Sequence, residues 1–380
     1  MRINDFVKTA TNKRAGRYAK DKVEMGHFID DYVKGLVDIE GDLLKTLDHK
    51  DQIFKFNYVW HHYKFVLTRM LPEVAIHSIK QDKRIVKKHY DNKNDLFSWF
   101  LGPRMIYTSC YFKDENETLE AAQDNKMNLI AQKMQLKSGE TLLDIGCGWG
   151  TLVAHMAKHY GVQSTGVTIA GAGAEWGRKQ IVDYGAQGKA DIMVMDYREI
   201  PRKKYNKISC LEMAEHVGIK NFRKFMRQCY DMLEDDGIFY VQIAGLRERD
   251  SLFQKRNRED LVWGLFMNEY IFSGADASMP INWDLRHIEK VGFEVQSVEN
   301  IGIHYSKTIN YWYNNWLSNK DKVIAKYGVE TFRIYEIFLA WSVVIAKHGG
   351  SSAYQIVCHK NLNNLNRKRY IGKTALGNAA

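Results

Sequence analysis

The chain has 380 residues, 45% of them apolar and 26% charged, and a formal net charge of +10. At about 150 residues per domain this length suits two domains with substantial cores, and no run approaches the roughly 18 apolar residues of a membrane span. The five cysteines (Cys110, Cys147, Cys210, Cys229 and Cys358) are odd in number and share no CxxC spacing. That argues against a disulfide framework or zinc site, fits a reducing compartment, and leaves no metal expected.

The N-terminal stretch MRINDFVKTATNKR is polar, so no secretory signal is expected. Residues 1–95 read as helical, with Phe28, Tyr32, Leu36, Leu43 and Leu47 recurring at three-to-four-residue spacing. Phe54, Phe56, Tyr58, Trp60, Tyr63 and Phe65 follow, and then a basic segment, Lys80–Lys93. Two readings stand. One is a small helical domain with a solvated charged face, which composition favours. The other is a lipid-surface module whose cations meet anionic headgroups.

From about residue 139 short apolar runs alternate with helical patterns. Thr141–Ile145, Ser164–Thr168, Asp191–Met195, Lys207–Leu211 and Ile238–Ile243 read as strands, and Thr151–His159 and Asn221–Leu233 as helices between them. The alternation predicts an α/β fold, a mainly parallel sheet with helices on both faces. Residues 251–361 form an aromatic-rich insertion with terminal strands at Phe293–Val298 and Ala353–His359. The run Phe338–Ala346 suits a core strand. The expected organisation is a helical domain at 1–95, an α/β domain at 96–361 with the insertion around 251–345, and a tail at 362–380.

The strongest motif is Asp144-Ile-Gly146-Cys-Gly148-Trp-Gly150, placed after a strand and before a helix. Its GxGxG spacing is not the dinucleotide fingerprint GxGxxG, and the absence of GKS or GKT excludes a P-loop. A bare glycine loop is more often an ordinary turn, but the strands ending at Thr168, at Asp196-Tyr197 and before Glu212–Gly218 converge on the same crevice of a doubly wound sheet.

DIGCGWGTL, GVTI, MDYREIP and EMAEHVG, with Tyr107-Thr-Ser-Cys-Tyr-Phe-Lys-Asp upstream, resemble the cyclopropane-fatty-acid synthase group of methyltransferases over residues 95–360. Tracts such as KYNKISCLEMAEHVG and EDLVWGLFMNEYIFSGADAS resemble the fungal sphingolipid C9-methyltransferases within it. The resemblance implies a class I (Rossmann-like) methyltransferase fold and S-adenosylmethionine as donor. It puts Asp144, Gly146, Gly148 and Gly150 at the donor loop, the glycines beside its methionine part, Thr168 near the ribose, and Asp196 and Tyr197 near the adenine. Tyr107 and Thr108 close the pocket. Cyclopropane synthases hold a bicarbonate base with a Cys, a Glu, a His and a Tyr. Glu215 and Tyr305 match two of these, whereas Ser109 replaces the Cys and Gln242 the His. These departures count against bicarbonate and ring closure. The fungal enzymes carry N-terminal membrane spans. The N-terminal region here is instead expected to resemble the helical lipid-facing domain of the bacterial synthases.

Methyl transfer onto a double bond leaves a carbocation that must lose a proton, so a base and a dry pocket are required. Glu215 is the expected base, directly or through a bound anion, with His216 as a neighbour and Tyr305 orienting the base or stabilising the cation. The segment Trp263–Phe272 and residues Tyr311, Trp312, Tyr313 and Trp316 read equally as buried core or as an acyl-chain tunnel. The expectation is a lipid C-methyltransferase, sphingolipid C9 type, with cyclopropane synthase as alternative. It is placed in the cytoplasm, peripherally on membranes, with a lipid substrate, no nucleic-acid partner and homodimerisation left open. An amine N-methyltransferase fits the greasy insertion poorly, and the intact loop with Glu215 argues against a silent lipid binder.

Overall fold

The computed structural model describes residues 6–9, 16–70, 93–248, 255–272, 279–362, 367–371, 373–374 and 377–378. The chain divides into two units, one comprising residues 1–76, 247–274 and 306–351, the other residues 77–246, 275–305 and 352–380.

The second unit is built on a seven-stranded sheet. Its strands are β1 (Thr141–Ile145), β2 (Gln163–Thr168), β3 (Ala190–Val194), β4 (Tyr205–Leu211), β5 (Leu233–Leu246), β6 (Phe293–Asn300) and β7 (Ser351–Lys360). Their spatial order is β6-β7-β5-β4-β1-β2-β3. Neighbours from β3 to β5 pair in parallel, and β6 pairs antiparallel with β7. The helices α1 (Leu119–Lys133), α2 (Thr151–Tyr160), α3 (Gly171–Asp183), α4 (Ile219–Met232) and α5 (Ile281–Lys290) accompany them.

Side chains alternate across the sheet, as a two-residue period requires. Leu143, Phe239, Val241, Ile356 and Cys358 join α4 and α5 in one buried cluster. Their neighbours Leu142, Ile238, Tyr240 and Val357 join α1 and α2 in another. Both faces are covered, which is why these strands read as apolar runs rather than as an alternating pattern. All five cysteines are free thiols.

The first unit is assembled from three stretches of chain. Phe28 and Tyr32 lie on the helix Met25–Val33, and Leu43 and Leu47 on Leu43–Asp48. All four are buried. Around these helices run short strands the periodicity did not predict: Val7–Thr9 pairs antiparallel with Val37–Ile39, and Val23–Glu24 parallel with Phe54–Lys55. Most of the basic segment Lys80–Lys93 lies outside the described residues.

The run Phe338–Ala346 is not a strand. It belongs to the helix Lys320–Lys347 and is buried throughout. Nine residues of which eight are apolar carry no period, and a helix enclosed on all sides is apolar all round, so the run fits either state. Tyr313, Trp312 and Trp316 are buried in this unit, Tyr311 is half-buried, and Phe266 packs on Trp341 at 6.0 Å. Each large side chain so enclosed contributes roughly 1.5–3 kcal/mol. Among the described residues no helix is long and apolar enough to cross a membrane.

Candidate active site

The strand order reverses between β1 and β4, and the carboxyl ends of strands flanking such a switch point open a crevice. The loop Gly146–Gly150 leaves β1 there and enters α2. Its three glycines have φ of 80°, 54° and 70°, a region that favours residues without a Cβ. A Cβ on Gly146 would lie 2.5 Å from Met213 and one on Gly150 2.3 Å from Ile192, so these two are needed for packing. A Cβ on Gly148 would meet nothing within 4 Å. That bare backbone over open space is a cradle with room for a ligand. The N–H groups of Gly146 and Cys147 both donate to the Val167 carbonyl, fixing the loop against β2.

Around this loop stand the other residues expected to hold the donor. Asp144 is buried, accepts from the Ser209 hydroxyl at 2.7 Å, and is pushed up to about 6 by desolvation, with Ser209 and the Lys126 ammonium opposing. Tyr107 lies against Phe97 and Phe100 at 5.5 and 5.6 Å, and Thr108 accepts a bond from Lys126. Thr168 ends β2, buried, and its hydroxyl accepts from the Ala170 N–H. Asp196 caps the short turn Tyr197–Glu199, where Arg198 pairs with it through two nitrogens at 2.7 and 2.6 Å. Tyr197 packs edge-on to Phe225.

Beyond the loop the crevice becomes strongly acidic. Glu212 ends β4 with φ 50°, a left-handed conformation that costs a non-glycine residue about 1 kcal/mol or more. Its Oε1 accepts from the Ser109 backbone N–H at 2.9 Å and from the Gln242 amide at 2.6 Å. Burial pushes its carboxyl up, while Gln242, Ser109 and Lys126 hold it down. The Gln242 amide has a defined orientation. Its Oε1 accepts from the Tyr240 hydroxyl and from Gln355 Nε2, each at 3.3 Å, so its nitrogen must face Glu212. Gln355 is set in turn by Lys133, which donates to its Oε1 at 2.6 Å and also pairs with Glu299.

Glu215 is buried in the turn Ala214–His216. One oxygen accepts from the Ala244 N–H, and Oε2 is buried without a hydrogen-bond partner among the described residues. Burial, and then the nearby Glu212 carboxylate, push its carboxyl well up. It borders a pocket with Phe222, Trp283 and Asp284, the last pushed up to about 8 by burial. The Tyr305 phenol is raised by burial and then by both Glu212 and Glu215, so all three share one site. His304 anchors this helix turn to the segment after Ser109 by accepting from the Phe112 N–H at 3.1 Å.

The fold thus gathers Ser109, Gln242, Glu215 and Tyr305 in one place, whereas His216 is exposed. Sequence reasoning named neither Glu212 nor Lys126 as a site residue. Lys126 carried a signal: Leu119, Ala122, Gln123, Lys126 and Met127 form one buried stripe on α1, and a lysine and a glutamine on such a stripe need a reason. Glu212 carried none, because its partners come from distant strands. The set is three carboxylates against one buried ammonium, an environment that favours a cationic ligand and opposes an added anion.

A sheet in this order with a glycine loop at its switch point defines a class I S-adenosylmethionine-dependent methyltransferase. Residues 77–356 match the mycolic acid cyclopropane synthetase family, and the chain belongs to that family. Among its relatives are a sphingolipid C9-methyltransferase of Komagataella phaffii, 45% identical over 97% of this chain and 77% of that one. Another is sphingolipid C9-methyltransferase 1 of Gibberella zeae, 47% identical over 91% of this chain and 67% of that one. The cyclopropane synthase MmaA2 of Mycobacterium tuberculosis shares the fold, with a TM-score of 0.68 at 24% identity over 73% of this chain and 98% of that one.

Proposed function

We propose that the chain transfers a methyl group from S-adenosylmethionine to a double-bond carbon of a sphingolipid chain, of the C9 type. The observation that carries the reading is the pair of half-buried Glu212 and buried Glu215, whose charges both reach the Tyr305 phenol, in a crevice opened by a bare glycine loop. The names of the relatives supply the lipid class. When bound, the donor supplies an electrophilic methyl on a sulfonium. Gly146, Gly148 and Gly150 hold its methionine part, Thr168 the ribose, and Asp196 and Tyr197 the adenine side, with Tyr107 and Thr108 closing over it. Asp144, fixed by Ser209, supports the loop. Tyr305 offers its ring to positive charge on the substrate, worth about 0.5–2 kcal/mol. The pair, through its ionised member, offsets that charge and accepts a proton, and Ser109 and Gln242 orient Glu212. His216 has no part in this reading.

The substrate would be taken from a membrane surface. Trp60, Tyr63 and Leu67 recur along the helical segment Trp60–Met70 and are 78%, 51% and 65% exposed, with Lys55, Lys64 and Arg69 exposed nearby. Interfacial aromatics flanked by cations suit an anionic bilayer.

The test is to incubate the purified protein with isotopically labelled donor and total lipid extract, and to identify the product by mass spectrometry. A labelled methyl branch on a sphingoid base is expected. A labelled ring in a phospholipid acyl chain would replace this reading with cyclopropane synthesis, and lipid left unlabelled would end both.

A further inference from the structure

The donors that would grip a bound bicarbonate are already engaged. The Ser109 N–H and the Gln242 amide both point at Glu212 Oε1. An added anion there would stand against the Glu212 carboxylate with Lys126 as the one buried ammonium of the set, so these residues do not fit it. We propose that Glu212 fills this anion site with its own carboxylate and is the proton acceptor of the reaction, so that turnover needs no bicarbonate.

The inference rests on the methyl-transfer reading given above and deepens it. Both described hydrogen bonds to Glu212 fall on Oε1, and Oε2 carries none among the described residues, which leaves it to meet the substrate. A left-handed backbone at Glu212 aims this carboxylate, a conformation that persists only when the surroundings enforce it. Glu215 is the complementary member. With one N–H donor and a buried, unpartnered oxygen, it holds its proton while Glu212 is ionised. In the step itself, the carbon next to the cationic centre breaks a C–H bond. Its electron pair closes the new double bond, the proton passes to Glu212 Oε2, and solvent then takes it. The positive charge that entered on the sulfonium leaves as that proton.

The experiment uses the purified full chain and its Glu212→Gln and Glu212→Gly variants, with donor and a ceramide bearing an unsaturated sphingoid base. Buffers are stripped of carbon dioxide, with and without added bicarbonate. Glycine accepts the left-handed backbone, so Glu212→Gly retains the fold. Wild-type turnover should be the same in both buffers. Both variants should lose about 100-fold or more with donor affinity retained, and bicarbonate should restore part of the rate of Glu212→Gly alone. A wild type that needs bicarbonate, or an active Glu212→Gln, overturns the proposal. Line broadening of labelled bicarbonate in carbon NMR gives a second readout without turnover. Broadening by Glu212→Gly but not by wild type supports the proposal. Broadening by wild type, or by neither, overturns it. A wild type that methylates no lipid defeats the function proposed above, and the NMR result then decides this inference separately.

Discussion

In the parallel-sheet unit the core is made by neighbours. Successive strands and helices supply Leu142 to one face and Leu143 to the other, and buried ionic groups such as Lys126, Asp144 and Glu215 gather at the site. In the first unit the ties span the chain. Tyr32 donates to Glu336 at 2.6 Å across 304 positions, Lys50 pairs with Glu259 at 2.8 Å, and Arg247 pairs with Asp260 at 2.9 Å. Tyr313 reaches Asp42, and Phe56 and Phe266 pack on Trp341. Local alternation therefore shapes most of the core of one unit. The other needs long-range partners that are costly to bury singly and firm once paired.

The largest effect expected from this contrast is at Glu259. Its replacement by alanine leaves the Lys50 ammonium, on a side chain 5% exposed, without its close buried partner, and should cost about 3–5 kcal/mol. Native-state hydrogen exchange should show lost protection in Lys320–Lys347 and retained protection in β1 and β4. Equal loss in both would mean that the units unfold as one. The double replacement Lys50→Met with Glu259→Leu should recover most of the loss.

A smaller effect is expected at the glycine loop, confined to the sheet unit. Gly150→Ala should destabilise by about 2 kcal/mol, because the new Cβ meets Ile192 in a left-handed backbone. Gly148→Val meets open space instead, so beyond the strain of a β-branched residue in a left-handed backbone it should abolish donor binding by calorimetry. Unchanged affinity would remove the loop from the donor site. The smallest effect on folding belongs to Trp60→Ala, within about 0.5 kcal/mol because the ring is exposed. The same change should weaken sedimentation with anionic vesicles several-fold, and equal sedimentation would detach the surface reading from this helix.

The sheet was legible because each strand is a short apolar run bounded by turn residues. β1 falls on the expected residues, and the other strands differ mainly at their ends, where pairing extends beyond the apolar run. The run Phe338–Ala346 was misread because burial erases the period that separates helix from strand. The joining of residues 1–76 with 247–274 and 306–351 was not legible at all, since no local pattern encodes a contact between Tyr32 and Glu336. At the site, Ser109, Gln242, Glu215 and Tyr305 were proposed through motif resemblance. Glu212 was not, because what singles it out is a backbone angle and two donors from separate segments.

The chain of amides running from Lys133 through Gln355 to Gln242 has a further consequence. Histidine in the place of Gln242 would exchange protons and change its pull on the neighbouring carboxylate as acidity varied. A carboxamide does neither: it transmits direction from α1 across β7 to β5 while carrying no charge. The acidity at which this protein works is then a matter for its carboxyl groups, with the brace behind them indifferent to it.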